Sequence, residues 1–401
     1  MFVADIFYLF GLNGVQYESY HIDQDSIFFT ASITKNECKC KHCLSKNITF
    51  KGAKIREFKM VPFARKKTYL KLTLHKIYCL DCNKYCWPEL DFASGKQRMI
   101  NAFVQYVLDL LALGTILSVA QFLNVGWDLV KNIHKKYLKK KYKTIPYKNL
   151  KYLSIDEFSI KKGHTYMTIF VNIETGRIIY AIEGRRREDI LPFLQKLAKK
   201  ATSLKAIAMD MSLPYYSAVQ EALPNTDIVF DHFHVNVHIN KALDEIRKQQ
   251  QNKTTKESKK AIKGQRFLLL KNYADLDENS QNRLKMLLEV NEPLMIAHSM
   301  KEQFRLFWEQ PTIEAAAKFF LRWFWDIHTS TIKPMIKVAN TLLRYSQGLM
   351  NYFKHWITNG KTEGINNKIK TMKRQAYGFR DMQYFKLRLY HLHEQKNQLT
   401  G

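Results

Sequence analysis

Residues 150–240 alternate between strand and helix patterns in an order that few folds share. Three runs of β-branched and aromatic residues occupy 150–188, with turns predicted at Lys162-Gly163 and Thr175-Gly176. A helix, a short strand, a second helix, another strand and a third helix follow. Three strands followed by alternating helices and strands predict an α/β domain built on a mixed sheet.

Two aspartates occupy distinctive places in this order. Asp156 lies inside the first strand, and Asp210 ends the fourth strand, KAIAMD. A carboxylate in a half-buried strand needs a partner, and a metal ion is one such partner. The order of elements is the outline of an RNase H-like fold, in which the first and fourth strands lie side by side. We therefore expect Asp156 and Asp210 to meet at the centre of the sheet.

A third acid, Glu363, stands at the first turn of a basic helix predicted from Thr362 to about Lys373. Each acid also has a structural interpretation: Asp156 as an edge-strand residue, Asp210 as a helix cap, and Glu363 as a complement to the helix dipole. Their joint occurrence in these positions favours one acidic site. Three carboxylates around one cavity require counter-charge, which two Mg²⁺ ions about 3.5–4 Å apart would supply, with Mn²⁺ as a substitute. Such a site suits in-line attack of water or a 3′-hydroxyl on a DNA phosphodiester.

All six cysteines fall between residues 38 and 86. Two Cys-x-x-Cys pairs flank a β-rich basic stretch, and two such turns can complete a structural, tetrahedral zinc site. Unpaired structural cysteines are the alternative. Cys38 and Cys86 are surplus and could replace a member of either pair. The predicted zinc ligands are Cys40, Cys43, Cys79 and Cys82.

The segment TILSVAQFLNVGWDLVKNIHKKYLKKKYK predicts a helix, a turn at 124–126, and a second helix that begins at Trp127. This pattern is typical of a helix-turn-helix, although a simple helical hairpin with a solvated basic face is the alternative. The second helix is predicted to direct five basic residues toward DNA phosphates: Lys131, His134, Lys135, Lys136 and Lys139.

The chain carries 64 Lys and Arg against 36 Asp and Glu, a formal charge of +28. Such an excess indicates an extended anionic partner, most often nucleic acid. The longest apolar run, at 103–123, contains Asp and Gln, and the N-terminus lacks the features of a signal peptide. We therefore expect no membrane partner and a cytoplasmic, nucleoid-associated protein. Four cations that follow Glu363 are predicted to lie along the DNA backbone, with a solvated face as the alternative: Lys368, Lys370, Lys373 and Arg374.

The chain resembles the ISL-three family of bacterial insertion-sequence transposases along nearly its whole length. The motifs that carry the resemblance are CKHC, CLDC, SVAQFLNVGWDLV, SIDEFSIKKGHTY, AMDMSLPYYSAV, NTDIVFDHFHVNVHINKALDEIR and NGKTEGINNKIKTMKRQAYGFRD. The resemblance implies a DDE transposase that binds terminal inverted repeats and performs Mg²⁺-dependent cut-and-paste strand transfer into target DNA. It implies Asp156, Asp210 and Glu363 as the catalytic triad. Asp231 and His234 also match a family motif, and they either support the active site or cap a helix.

The predicted fold is an RNase H-like α/β core that carries an all-helical insertion and follows a zinc ribbon and a helix-turn-helix. Two DNA ends must be paired, so we expect a homodimer or larger assembly on double-stranded DNA. The alternatives are a sequence-specific DNA-binding regulator with an inactive nuclease-like domain, and a nuclease such as a resolvase. The predicted boundaries are 1–36 (N-terminal segment), 37–92 (ribbon), 95–145 (helix-turn-helix), 150–240 (first part of the core), 241–352 (insertion) and 353–401 (last part of the core and tail).

Overall fold

The computed structural model describes residues 7–161, 165–253 and 262–394. The predicted turn at Lys162-Gly163 lies outside these residues. The chain forms two compact units, each with its own sheet and helices. The first unit comprises residues up to 143 together with 374–387, and the second comprises 144–373 together with 388–394.

A mixed sheet forms much of the first unit. Its strand order is β1-β2-β4-β3, with β5 paired to β4. Strands β2 and β4 run parallel, and the other pairs are antiparallel. The sheet therefore crosses the boundary predicted at residue 36 and joins the N-terminal hairpin to the ribbon strands. These strands are β1 (Val15–Ile22), β2 (Ser26–Ile33), β3 (Ile48–Phe63), β4 (Lys66–Cys79) and β5 (Tyr85–Cys86).

Three helices follow in the same unit: α1 (Asn101–Leu111), α2 (Ile116–Phe122) and α3 (Trp127–Lys141). The backbone turns between α2 and α3 at Asn124, whose φ of 47° lies in the left-handed region. This turn and the start of α3 lie where the helix-turn-helix pattern predicts them. Their packed face includes Val119, Ala120, Leu123, Val130 and Ile133, all of which are buried.

The prediction that His134 points outward from α3 is wrong. Its side chain is 3% exposed, and its Nδ1 lies 2.8 Å from the Tyr384 hydroxyl in a buried hydrogen bond. The physical reason is helical spacing, because His134 follows Val130 by four residues and precedes Leu138 by four. All three therefore share the buried face of the helix. Lys136 and Lys139 are exposed, as predicted.

The second unit contains a sheet of order β10-β9-β6-β7-β8. Strands β10, β9 and β6 run parallel to one another, whereas β7 and β8 are antiparallel. The predicted first and fourth strands of this region, β6 and β9, are neighbours. The strands are β6 (Tyr152–Lys161), β7 (Thr165–Asn172), β8 (Arg177–Glu183), β9 (Ala206–Met209) and β10 (Asp227–Phe230). Helices α4 (Arg187–Ala198), α5 (Leu213–Ala222) and α6 (His232–Lys253) connect or follow them.

The rest of the described chain is helical. Trp323 anchors the packing of this region, since it is 2% exposed and its indole N–H donates to the Met300 carbonyl at 2.9 Å. No helix in the described ranges is long and apolar enough to cross a membrane. The helices are α7 (Arg266–Leu270), α8 (Glu278–Glu289), α9 (Glu292–Phe307), α10 (Ile313–Thr329), α11 (Lys333–Arg344), α12 (Ser346–His355), α13 (Gly360–Gln375) and α14 (Met382–His391).

Candidate active site

Three aspartates gather at the carboxyl edge of the parallel strands. Ile155 pairs with Met209, so the next residues, Asp156 within β6 and Asp210 just after β9, lie at the same level of the sheet. Asp231 directly follows β10, which runs parallel to β9. Carboxyl ends of neighbouring parallel strands are where ligands bind in open α/β sheets.

His234, in the first turn of α6, lies between two of these carboxylates. Its Nδ1 hydrogen-bonds to Asp231 Oδ2 at 3.0 Å and lies 2.7 Å from Asp210 Oδ1. Burial alone would lower the pKa of His234, but the two carboxylates outweigh it and raise this pKa to about 10. An imidazolium therefore supplies counter-charge to Asp210 and Asp231 in this structure.

Asp156 is the most strongly perturbed of the three acids. Burial, followed by the nearby Asp210 carboxylate, raises the pKa of Asp156 to about 7. Its Oδ1 accepts the backbone N–H of Glu157 at 2.7 Å, and its Oδ2 accepts from the Asn366 side-chain amide at 2.7 Å. Asn366 belongs to α13, so this bond joins the acidic edge to the helix that carries Glu363. Sequence reasoning missed Asn366, although it lies three residues after Glu363 and hence on the same helical face.

A buried polar group fixes the start of α13 against β6. Ser154 Oγ donates to Asn359 Oδ1 at 2.8 Å and lies 2.7 Å from Thr362 Oγ1. Ser154 and Thr362 are at most 1% exposed. Glu363 follows Thr362 directly and is exposed in the first turn of α13. The structure thus brings Glu363 to the helix turn beside β6 but leaves its side chain outside the group formed by Asp210, Asp231 and His234.

Glu157 occupies the opposite side of β6, because side chains alternate along a strand. Its carboxylate accepts a hydrogen bond from the buried Tyr215 hydroxyl and forms an ion pair with Arg185 at 3.4 Å. Burial, together with Glu157, raises the pKa of Tyr215. A cavity of about 640 Å³ adjoins this pair and is lined by the arginines 185–187.

The predicted DNA-contacting cations differ in their surroundings. Lys368, Lys370 and Arg374 are exposed on α13. Lys373 instead donates to the Ser159 carbonyl at 2.5 Å. In the first unit, Lys131 and Lys135 both form ion pairs with Asp381, at 3.3 Å and 2.7 Å.

Four cysteines of the first unit form a second candidate metal centre. The Sγ atoms of Cys40 and Cys82 are 3.5 Å apart, as are those of Cys43 and Cys79. A tetrahedral zinc with bonds near 2.3 Å places its sulfur ligands about 3.8 Å apart, so the cluster matches a metal in size. All six cysteines are free thiols, and Cys38 and Cys86 are buried beside the cluster without belonging to it.

The acidic edge also fits a cation. The ligand atoms of Asp210, Asp231 and His234 all lie within 4.8 Å of one another, and His234 must lose its Nδ1 proton before it can be a ligand. Asp210 Oδ1 is buried and accepts no hydrogen bond of normal geometry from the described residues, since the nearby Nδ1–H of His234 is directed to Asp231. A buried carboxylate oxygen without a donor is a natural ligand for a hard cation such as Mg²⁺.

A family model described as "Transposase", of the DDE and ISL-three type, matches residues 153–389. The match covers more than half of the chain and includes the acidic edge and α13. The chain belongs to the ISL-three family of insertion-sequence transposases. The sequence resemblance to this family is thereby confirmed, and transposases of this type use divalent metal ions.

Individual relatives agree with this assignment. The transposase for insertion sequence element IS1001 of Bordetella parapertussis is 28% identical over 354 residues, which is 87% of each chain. The transposase for IS1557 of Mycobacterium tuberculosis is 25% identical over 57% of each chain. The Drosophila P element transposase strand transfer complex is a similar solved structure, with 10% identity, a TM-score of 0.32, and coverage of 62% of this chain and 77% of that one. The family match shows that the chain is a transposase, and its two sheets give it a mixed α/β fold.

Proposed function

We propose that this transposase has an RNase H-like catalytic core in which Asp156, Asp210 and Glu363 form the catalytic triad. The observation that carries the proposal is the parallel pairing of β6 with β9, which sets Asp156 and Asp210 at one edge. The hydrogen bond from Asn366 to Asp156 supports the third member, because it ties the helix of Glu363 to the same edge. The reaction is cleavage of DNA and strand transfer by in-line attack on phosphodiesters.

Asp156, Asp210 and Glu363 are the residues that would hold two Mg²⁺ ions. When bound, these ions lower the pKa of the attacking water or 3′-hydroxyl and stabilise the leaving oxygen. His234 supports the site by neutralising Asp210, and Asp231 supports it by holding the His234 ring in place. Asn366 orients Asp156 by donating to one of its oxygens, while the backbone N–H of Glu157 donates to the other.

The first unit binds DNA in this proposal. Its helix-turn-helix recognises the terminal inverted repeats, and the exposed Lys136 and Lys139 contact phosphates. Lys131 and Lys135 remain candidates for the same role, although Asp381 now pairs with both. The Cys₄ cluster holds a structural zinc, since four thiolates leave no open position for substrate. Two DNA ends must be joined to one target, so the active form is a homodimer or larger assembly.

Glu363→Gln tests the triad, and Glu314→Gln is a matched control because Glu314 is likewise exposed in the first turn of a helix, α10. Each variant is incubated with Mg²⁺ and a supercoiled plasmid that carries the element's ends. We expect Glu363→Gln to bind the ends normally but to lose cleavage, whereas Glu314→Gln keeps both. A Mg²⁺-induced rise in melting temperature, smaller for Glu363→Gln than for the control, gives a readout independent of activity.

Two results would contradict the proposal. Normal cleavage by Glu363→Gln would remove Glu363 from the triad. Specific binding without cleavage by the wild type, with every divalent metal tried, would favour a DNA-binding regulator with an inactive nuclease-like domain.

A further inference from the structure

One face of the first unit's sheet carries an unusual combination of aromatic and basic side chains. Along β4 the buried Thr68, Leu70 and Leu72 alternate with Lys67, Tyr69 and Lys71, which point to the other face. Strand pairing brings Phe28 of β2 and Lys59 of β3 directly beside Tyr69. We call these five residues the ribbon outer face: Phe28, Lys59, Lys67, Tyr69 and Lys71.

The aromatic rings of the ribbon outer face hold two of its lysines. Phe28 and Tyr69 are stacked, with ring centroids 5.1 Å apart and planes 13° apart. Lys71 Nζ lies 4.6 Å from the Phe28 centroid, and Lys59 Nζ lies 5.3 Å from the Tyr69 centroid. Each ring of the stacked pair therefore has one lysine ammonium over it. Cation–π contacts of this kind restrict flexible lysines and so reduce the entropy lost when they bind an anion.

The ribbon outer face carries three lysines and is accompanied by one carboxylate, Glu57, which pairs with Lys71 in the strand register. Within the described parts of the chain, no carboxylate lies within ion-pair distance of Lys59, Lys67 or Lys71. Burial and the neighbouring Lys67 lower the pKa of Lys59, which indicates crowding of like charges. Lys71 and Ile55 are exposed, the latter at 70%, whereas the backbone of Lys59 is hydrogen-bonded to Arg98 and Ile100 at the edge of the sheet.

Two occupants fit an exposed sheet face with rings and lysines. Unpaired bases would stack on ring faces, but here the two rings already stack on each other and each has a lysine over it. Phosphates require only the ammonium groups, which stand free on this face. Three lysines, two of them held by rings and none in an ion pair with a described carboxylate, therefore favour the backbone of a nucleic acid over its bases.

We propose that the ribbon outer face binds the sugar–phosphate backbone of duplex DNA, with Lys59, Lys67 and Lys71 contacting phosphates while Phe28 and Tyr69 hold two of them in place. This inference rests on the proposed DNA-binding function of the first unit and adds a second contact surface to its helix-turn-helix. Because phosphates are the same in every sequence, this surface contributes affinity without sequence preference.

The triple variant Lys59→Gln, Lys67→Gln, Lys71→Gln tests this surface in the full chain. A matched control, Lys196→Gln, Lys199→Gln, Lys200→Gln, removes the same charge from exposed positions in and just after α4. Binding to a labelled duplex of the element's end, and to a scrambled duplex, is measured by fluorescence anisotropy over a range of salt concentrations. Each phosphate contact contributes about 0.9 to the slope of log affinity against log salt, so the triple variant should reduce the slope by roughly 2 to 3. We expect the same reduction on both duplexes and none for the control.

Phe28→Leu tests whether holding Lys71 in place matters in addition to its charge. It keeps every lysine but removes the ring beneath Lys71, and we expect about a two- to fivefold weaker affinity with an unchanged salt slope. A thermal melt equal to that of wild type establishes that each variant is folded.

The outcomes distinguish this inference from the function on which it rests. If wild type binds and cleaves but the triple variant keeps the control's salt slope, the ribbon outer face is not a phosphate site. A loss confined to single-stranded oligonucleotides would contradict the assignment to duplex DNA. If wild type binds no duplex at all, the proposed function fails together with this inference.

Discussion

The buried polar contact between β6 and α13 allows a quantitative prediction. The single hydroxyl hydrogen of Ser154 is donated to Asn359, so Thr362 is the donor in the second bond, from its Oγ1 to Ser154 Oγ. Thr362→Val keeps the side-chain volume and removes only this donor. Ser154→Ala removes the shared partner and leaves both Asn359 and Thr362 unsatisfied in a buried place.

The expected cost of each change follows from what remains unpaired. Thr362→Val loses one neutral hydrogen bond and should lower the free energy of unfolding by about 1 kcal/mol. Ser154→Ala leaves two buried polar groups without partners, which costs on the order of 3 kcal/mol. In the double variant only Asn359 is left without its hydrogen-bond partner. The loss in free energy of unfolding should therefore be about 2 kcal/mol smaller than the sum of the losses in the two single variants.

Urea unfolding monitored by tryptophan fluorescence measures these differences, since Trp308, Trp323 and Trp356 lie in the same unit. Thr371→Val is a control on the same helix, where the hydroxyl is exposed, and it should change stability by less than about 0.5 kcal/mol. Strict additivity of Ser154→Ala and Thr362→Val would refute the reasoning. Because Glu363 follows Thr362 directly, we also expect DNA cleavage to fall in the order of the stability losses.

Three further predictions concern other parts of the chain. An added Cβ in Gly348→Ala would lie 2.4 Å from the ring of the buried Phe230. Urea unfolding should therefore show a loss of about 1–3 kcal/mol in the free energy of unfolding, which Phe230→Leu should partly restore. Equal stability of wild type and Gly348→Ala would contradict this prediction. Burial lowers the pKa of His298 to about 4, below its value near 6.5 in the unfolded chain, so the folded state takes up fewer protons between these values. The free energy of unfolding should therefore fall by up to about 3 kcal/mol as the pH drops from 6.5 to 4. His298→Leu should flatten the curve of unfolding free energy against pH, whereas a change at the exposed His21 should leave the curve as it is. Native mass spectrometry should find zinc in Cys38→Ser and little in Cys43→Ser; equal zinc contents would exclude Cys43 as a ligand.

The sequence predicts the parts of the site that depend on local pattern. Alternating apolar residues around Asp156, and the short apolar strand that ends at Asp210, identify β6 and β9 as strands. The order of the elements then suffices to predict that the two strands are neighbours, as the structure has them. The helix-turn-helix bounds follow in the same way from apolar spacing and the turn before Trp127.

The contacts that sequence reasoning missed join residues far apart in the chain. Asn366 meets Asp156 across 210 positions, and Thr362 meets Ser154 across 208. These pairs depend on how α13 docks onto the sheet, which no local pattern encodes. The error at His134 is of another kind. Its basic side chain favoured a place among the outward lysines, whereas helical spacing puts it on the buried face with Val130 and Leu138.

The order in which the chain is synthesised has a consequence for the pairing of α3. Lys131, Lys135 and His134 lie in the first part to leave the ribosome, yet their partners Asp381 and Tyr384 are made more than 200 residues later. At about 5–20 residues per second, these side chains wait roughly 10 to 45 s after residue 143 is made. The two lysines of a nascent transposase therefore lack their ion pairs with Asp381 until the chain is almost complete.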